Sequence, residues 1–396
     1  MNSRIKKKIH QIAKILSNDK FLNYNVSLIG GNAGICLFHF YYSKKFQNEQ
    51  STEIAYKIIE DTFVKINNGF SFHTFAGGLA GIGWLIEFLE QNDFLETDTD
   101  EILAELDEYL YKLMIEDLKN HNFDYLHGAS GIALYFTKRK QSKKISEYLN
   151  DYIDILSKIS IKEGLSIKWI SEINSSKNEK FYNPSMSHGM ASLISILSKI
   201  YSLGISKLKI KTLLAGAINY LLSIEQNINI YYSYFPNSIN IKTGQKATSR
   251  LAWCYGDLGI SIAIWNASQA VKNKEWETKA LEILHYSTTR KDLDKNFVSD
   301  AGLCHGTAGI AHIFNRMYIN TKDIKFKETA NYWYTETLKM ANHKKSLSGF
   351  KAWHTEKYGG WQEEFGFIEG IAGIGLTLIS TISDIEPAWD EILLLS

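Results

Sequence analysis

A chain of 396 residues, 45% of them hydrophobic, can bury a large core, and its length alone would allow two or three domains. Forty-four Lys+Arg against 43 Asp+Glu leave a formal charge of +1, so the basic footprint of a nucleic-acid binder is absent. No apolar run reaches the roughly 18–20 residues that span a bilayer, and three cysteines (Cys36, Cys254, Cys304) are too few for a disulfide framework, which points to a reducing cytoplasm.

At the N-terminus Ile5, Ile9, Ile12 and Leu16 recur at helical spacing among Lys6, Lys7, Lys8 and Lys14. This predicts an amphipathic helix with a solvated basic face, and leaves peripheral membrane or partner contact as a second reading. Cys36, inside Ile35-Cys36-Leu37-Phe38, reads as a small buried residue.

From there the chain repeats one turn seven times. The copies are Gly31-Asn-Ala-Gly34, Gly78-Leu-Ala-Gly81, Gly128-Ala-Ser-Gly131, Gly189-Met-Ala-Ser192, Gly256-Asp-Leu-Gly259, Gly306-Thr-Ala-Gly309 and Gly370-Ile-Ala-Gly373. Each leads into an apolar run, and only the fourth replaces its second glycine. A spacing of about 50 residues fits two helices and two loops. One helix is apolar nearly all round and must be buried; the other is amphipathic and covers it. Asp98 to Lys119 illustrates the second kind, with Ile102, Leu106, Leu110 and Leu113 along one face. Seven such pairs without polar capping repeats predict an all-α, closed α/α toroid of seven inner and seven outer helices, a single domain over 1–396.

Two connections are longer and change character. Residues 160–187 are polar and broken by Gly164, Asn183 and Pro184, while 226–249 contain strand-favouring Ile228-Asn-Ile230-Tyr-Tyr-Ser-Tyr-Phe235 and Ile239-Asn-Ile241. Both are expected to be insertions that form a small β-containing rim lobe. Residues 341–367 are a third long connection.

Counting back from each first glycine exposes a polar register. One residue before it stand His127, His188, Tyr255, His305 and Glu369; two before it stand Cys254 and Cys304. Equivalent repeats would aim these groups at one end of the ring. Cys254, Cys304 and His305 offer zinc two sulfurs and one nitrogen, with a fourth position open; the alternatives are a closed site completed by His127, His188 or Glu369, or no metal. His188 is a candidate acid/base, Asp124 either a helix cap or a functional carboxylate, and Arg250 either a solvated residue or a site residue. Lys246 and Ser249, beside Arg250, are expected to be exposed.

The stretches Trp253-Cys254-Tyr255-Gly256, Cys304-His305-Gly306, Ser187-His188-Gly189 and Phe367-Ile368-Glu369-Gly370-Ile371-Ala372-Gly373 resemble the lanthionine synthetase C-like family, and the resemblance covers essentially the whole chain. It is similar to the stand-alone cyclases of class I lanthipeptide pathways, of the type that makes nisin. The resemblance implies an α/α toroid with one Zn2+ held by Cys254, Cys304 and His305, and functional roles for His188, Asp124 and Arg250. The implied reaction adds precursor-peptide cysteine thiols to dehydroalanine or dehydrobutyrine, forming lanthionine or methyllanthionine. Implied partners are a dehydrated precursor peptide with its leader, a dehydratase and an exporter, with the protein in the cytoplasm, at the inner face of the membrane if it joins such a complex. Ser192 departs from the family's usual glycine.

Two other classes compete. A zinc prenyltransferase-like enzyme also activates a peptide thiol, but it would pair an Asp-Cys-His ligand set with a basic diphosphate pocket, against the second cysteine. A non-catalytic zinc scaffold binding thiol peptides or glutathione would protect thiols instead of consuming them.

Overall fold

The structure is a computed structural model that describes residues 2–18, 25–171 and 180–396. Its contacts divide into two units. The first comprises the chain through Phe72, Ala76–Gly78 and Phe297–Ile392; the second comprises His73–Phe75, Leu79–Asn296 and Leu393–Ser396.

Each of the seven glycine turns leads into a helix: Asn32–Phe46, Leu79–Gln91, Ala129–Lys138, Met190–Ser202, Asp257–Val271, Thr307–Thr321 and Ile371–Ile382. These helices are buried almost all round; in the second, every residue from Leu79 to Leu89 is buried. Amphipathic helices Glu49–Asn67, Ala104–Lys119, Lys143–Lys158, Lys207–Ser223, Lys274–Ser287 and Ile324–Met340 follow the first six. In Lys143–Lys158 the buried stripe is Ile145, Tyr148, Leu149, Tyr152, Ile153 and Leu156, the helical period made visible. No helix follows the seventh turn's in this role. Its cover is the N-terminal helix Asn2–Leu16, whose Ile12 lies beside Gly375. Ile5, Ile9, Ile12 and Leu16 are all buried there, so the apolar face is spent inside the protein and only the basic face looks outward. No described helix is long and apolar enough to cross a membrane.

The two kinds of helix begin differently. Four of the six covering helices are capped by side chains: Asn48, Ser142, Asn273 and Asp323 accept from the first-turn N–H groups. The buried helices start on glycine, which has no side chain to cap with. A backbone carbonyl seven residues upstream takes an N–H of the first turn instead: Asn32 to Asn25 (2.8 Å), Ala80 to His73 (3.2 Å), Ala129 to Asn122 (3.1 Å), Met190 to Asn183 (2.8 Å), Thr307 to Asp300 (3.0 Å) and Ile371 to Glu364 (3.1 Å). The second glycine completes the tight turn. A Cβ at Gly34, Gly131, Gly259, Gly309 or Gly373 would lie 1.8–2.7 Å from the carbonyl oxygen six residues back. Ser192 takes this place in the fourth copy and donates its hydroxyl to the Gly189 carbonyl at 2.8 Å. The fifth copy departs: Gly256 has φ +101°, a conformation that favours glycine, and pairs with Leu251 in an isolated bridge.

Neighbouring turns are stitched together in register. Leu303 and Cys304 donate to the Ile368 carbonyl (2.8 and 3.0 Å), Phe367 and Ile368 to that of Ile29 (2.9 and 3.0 Å), and Ile29 to that of Ala76 (3.0 Å). The last copy is thereby joined to the first. In the second unit Met186 and Ser187 donate in the same way to the Cys254 carbonyl (3.0 and 3.3 Å).

Three two-stranded antiparallel ribbons occupy the long connections. Strands β1 (Ile161–Glu163) and β2 (Ser166–Lys168) pair locally, as do β5 (Ala352–His354) and β6 (Gly360–Gln362). Strand β3 (Phe181–Tyr182) pairs with β4 (Ile239–Asn240), which links the connection at 160–187 to that at 226–249. Residues 172–179 of the first connection lie outside the described residues.

Three local expectations are corrected. Ile228–Tyr231 forms one helical turn, because the Asn227 side chain caps it by accepting from the Asn229 N–H. The Asp98–Lys119 helix breaks at Leu103; Leu110 is buried as expected, but Leu103, Asp107 and Met114 take the buried places one position on from Ile102, Leu106 and Leu113, leaving Ile102 exposed. Buried Asp107 sets that register by pairing with Arg139, which also binds Glu87. Ser249 is buried beneath Gly256.

Candidate metal centre and acid group

In the second unit, Asp124 and His188 come from adjacent copies. Asp124 is buried, and its Oδ1 accepts the His127 backbone N–H at 2.7 Å, which fixes the third turn. Its Oδ2 lies 2.8 Å from His188 Nδ1. One oxygen of Asp124 thus closes the turn ahead of the helix and the other meets His188. An Nδ1–H donated to Asp124 leaves His188 Nε2 as the nitrogen with a lone pair or a transferable proton. The His188 ring stands 5.8 Å from that of His127 at 20° and 6.4 Å from that of Tyr255. Burial lowers the His127 imidazole, with Asp124 opposing and His188 reinforcing the shift.

Cys254 is buried, and its carbonyl holds the residues just before His188: Met186 and Ser187 through their N–H groups, Ser187 also through its hydroxyl at 3.4 Å. The following Asp257 is fully buried, accepts from Tyr234 and Phe235 N–H at 3.0 Å, and pairs with Arg290 at 2.8 Å. The connection 226–249 is thus anchored to the cysteine-bearing turn. Arg250 is half-buried, and its carbonyl would meet a Cβ at Gly256 at 2.1 Å.

In the first unit, Cys304 and His305 precede Gly306. His305 Nε2 lies 3.7 Å from Oδ2 of buried Asp300. Asp300 is itself fixed: Oδ1 accepts from Gly302 N–H at 2.9 Å and Oδ2 from Trp353 N–H, on β5, at 2.8 Å. Glu369 holds the corresponding place in the seventh turn. Burial pushes its carboxyl up, His305 and His354 pull it down, and Asp300 and Glu364 push it up. None of the three cysteines is in a disulfide. Cys36 is fully buried against the Ala55 carbonyl, and burial pushes its thiol far up.

The register at one and two residues before the glycine did not include Asp300, Glu364 or His354. The first two stand six residues before Gly306 and Gly370, where Arg250 stands before Gly256 and Asn25, Asn122 and Asn183 stand in other copies. Extending the count to six would have found them. His354 sits on a hairpin with no repeat to index it.

A family model described as lanthionine synthetase C-like protein matches residues 23–394. The chain belongs to that family. It is 25% identical over 363 residues to the nisin biosynthesis protein NisC of Lactococcus lactis subsp. lactis, covering 84% of this chain and 81% of that protein. A solved nisin cyclase superposes with a TM-score of 0.77 at 21% identity, over 99% of this chain and 96% of that one. That likeness gives the fold class, the α/α toroid expected from the seven glycine turns.

Proposed function

We propose that this family member is a lanthionine synthetase that closes thioether rings in a dehydrated precursor peptide, with one zinc ion held by Cys254, Cys304 and His305. The observation that carries the ligand set is the turn register. Both cysteines stand two residues before the first glycine, and the carbonyls of Cys254, Ile368 and Ile29, all at that place, accept the same paired N–H bonds from a neighbouring turn. The donors suit the metal: sulfur and imidazole are zinc's preferred ligands, and a carboxylate such as Asp300 near a ring nitrogen is the usual outer partner of a metal-bound histidine.

When bound, zinc would hold the substrate cysteine as its thiolate, which a free thiol of pKa about 8.5 is mostly not at neutral pH. The rest falls to side chains. The S–C bond forms at Cβ of the dehydro residue as the C=C bond breaks, and the electron pair moves onto the amide as an enolate. His188 supplies the proton to Cα from Nε2; Asp124 holds the ring in place through Nδ1. Arg250 offsets the negative charge on the enolate oxygen. No atom leaves, so the peptide's mass is unchanged.

The same reading places a dehydratase upstream, because the acceptor residues arise by loss of water from serine and threonine, and an exporter downstream, in the cytoplasm. A single toroid domain with its β ribbons as peptide-facing elements belongs to this reading as well. The test is incubation of the zinc-loaded protein with a dehydrated, cysteine-containing precursor. Alkylatable thiols should disappear at constant mass; thiols that persist with a matched precursor contradict the assignment.

A further inference from the structure

A second cluster of ligand-type atoms lies within the first unit, outside the cysteine register. His354 ends β5, Glu364 follows β6, and Glu369 precedes the seventh turn. His354 Nε2 is 3.2 Å from Glu364 Oε1 and 3.4 Å from Glu369 Oε2. That nitrogen is shut off from solvent, yet it makes no hydrogen bond to either carboxylate. An ordinary ion pair would turn the N–H onto one oxygen. Here the three donors lie within 4.8 Å of one another, close enough for one ion to reach all of them. An ion bonded tetrahedrally to N and O at about 2.0–2.1 Å sets its ligands about 3.3 Å apart, which is the separation of Nε2 from both carboxylates.

We infer that His354, Glu364 and Glu369 form a second metal site for a divalent first-row transition ion of the Zn2+ class. One imidazole with two carboxylates suits such an ion, and the cation offsets two acidic groups that otherwise crowd each other. The fourth position is left to water. Bound there, the ion ties the β5–β6 hairpin to the residue before the seventh turn. The ribbon whose Trp353 N–H holds Asp300 then becomes a metal-fastened element.

The experiment is Zn2+ stoichiometry of the full chain after stripping and reloading, with Co2+ as an optical probe. Wild type should take two equivalents. Cys254→Ala/Cys304→Ala should keep one, and its Co2+ form should lack sulfur-to-metal charge-transfer bands. Adding His354→Ala to that background, or the shape-conserving Glu364→Gln, should weaken the remaining equivalent by at least about tenfold. A folded double-cysteine variant that takes no Zn2+, or one whose equivalent survives both further changes, overturns the site. The two metal assignments fail separately. One equivalent that vanishes with the cysteines leaves only the thiolate site standing; one that survives their loss but vanishes with His354 leaves only this one.

Discussion

His188 Nδ1 and Asp124 Oδ2 lie 2.8 Å apart across two repeats, with the carboxylate's other oxygen already committed to the His127 backbone. The carboxylate thus cannot swing away without opening the third turn, and the histidine is held in one tautomer. His188→Ala should lower the cyclisation rate by about 10²–10⁴-fold, the range of a lost general acid, with precursor binding retained. Asp124→Asn should slow the reaction too, because its oxygen stays on the His127 N–H and its NH2 then faces Nδ1, which imposes the other tautomer. Pre-steady-state thiol loss measures both; equal rates for wild type and His188→Ala would remove the acid role.

Asp300 reaches the proposed metal through His305. Asp300→Asn removes the charge that polarises the ring and keeps only one of the two bonds from Gly302 and Trp353 N–H, because its amide NH2 cannot accept. Zinc affinity, read by competition with a chromophoric chelator, should fall about 10–100-fold. An unchanged affinity would make Asp300 a backbone clip alone.

The glycine turns make a sharper stability prediction. A Cβ at Gly373 would sit 1.8 Å from the Phe367 carbonyl, a backbone atom with no rotamer to yield, whereas one at Gly30 would meet only the Ser27 hydroxyl at 3.7 Å. Gly373→Ala should destabilise by about 1–3 kcal/mol or more. Gly30→Ala should stay within about 0.5 kcal/mol. Denaturant midpoints decide; equal midpoints would mean that the turn relaxes freely.

Acid lability should have a named contributor. Burial holds His39 down to about 4, below the usual 6.5 of an exposed imidazole. The unfolded chain therefore takes up a proton first. The stability is fully present above about pH 6.5, is lost as pH falls from there to about 4, and changes no further below. At about 1.4 kcal/mol per unit this is about 3 kcal/mol in all. His39→Gln should flatten the fall in unfolding free energy between pH 7 and 5; an unchanged slope would assign the fall to other groups.

The fold was legible because its instructions are local. A glycine pair followed by an all-apolar run marks each buried helix, and the spacing leaves room for one cover. What could not be read locally was tertiary. The expected stripe through Ile102 and Leu106 shifts by one residue because buried Asp107 must face Arg139, some thirty residues on. The strand propensity of Ile228–Tyr231 yields to a cap from Asn227. The residues proposed for the site were marked in the same local way. Cys254, Cys304, His305 and His188 share short offsets from a repeated turn, whereas Asp124 stands outside that register and meets His188 only through the fold. His354 arrives on a ribbon formed by distant pairing, which no periodicity announces.

The most direct test of the central claim is thiol loss by one preparation before zinc removal, after it, and after reloading, on a dehydrated precursor with its cysteines free. The account predicts that rings form with the loaded protein, that thiols persist with the stripped protein, and that reloading restores the rate in wild type but not in Cys304→Ala. Ring formation at equal rates by stripped and loaded protein would contradict it.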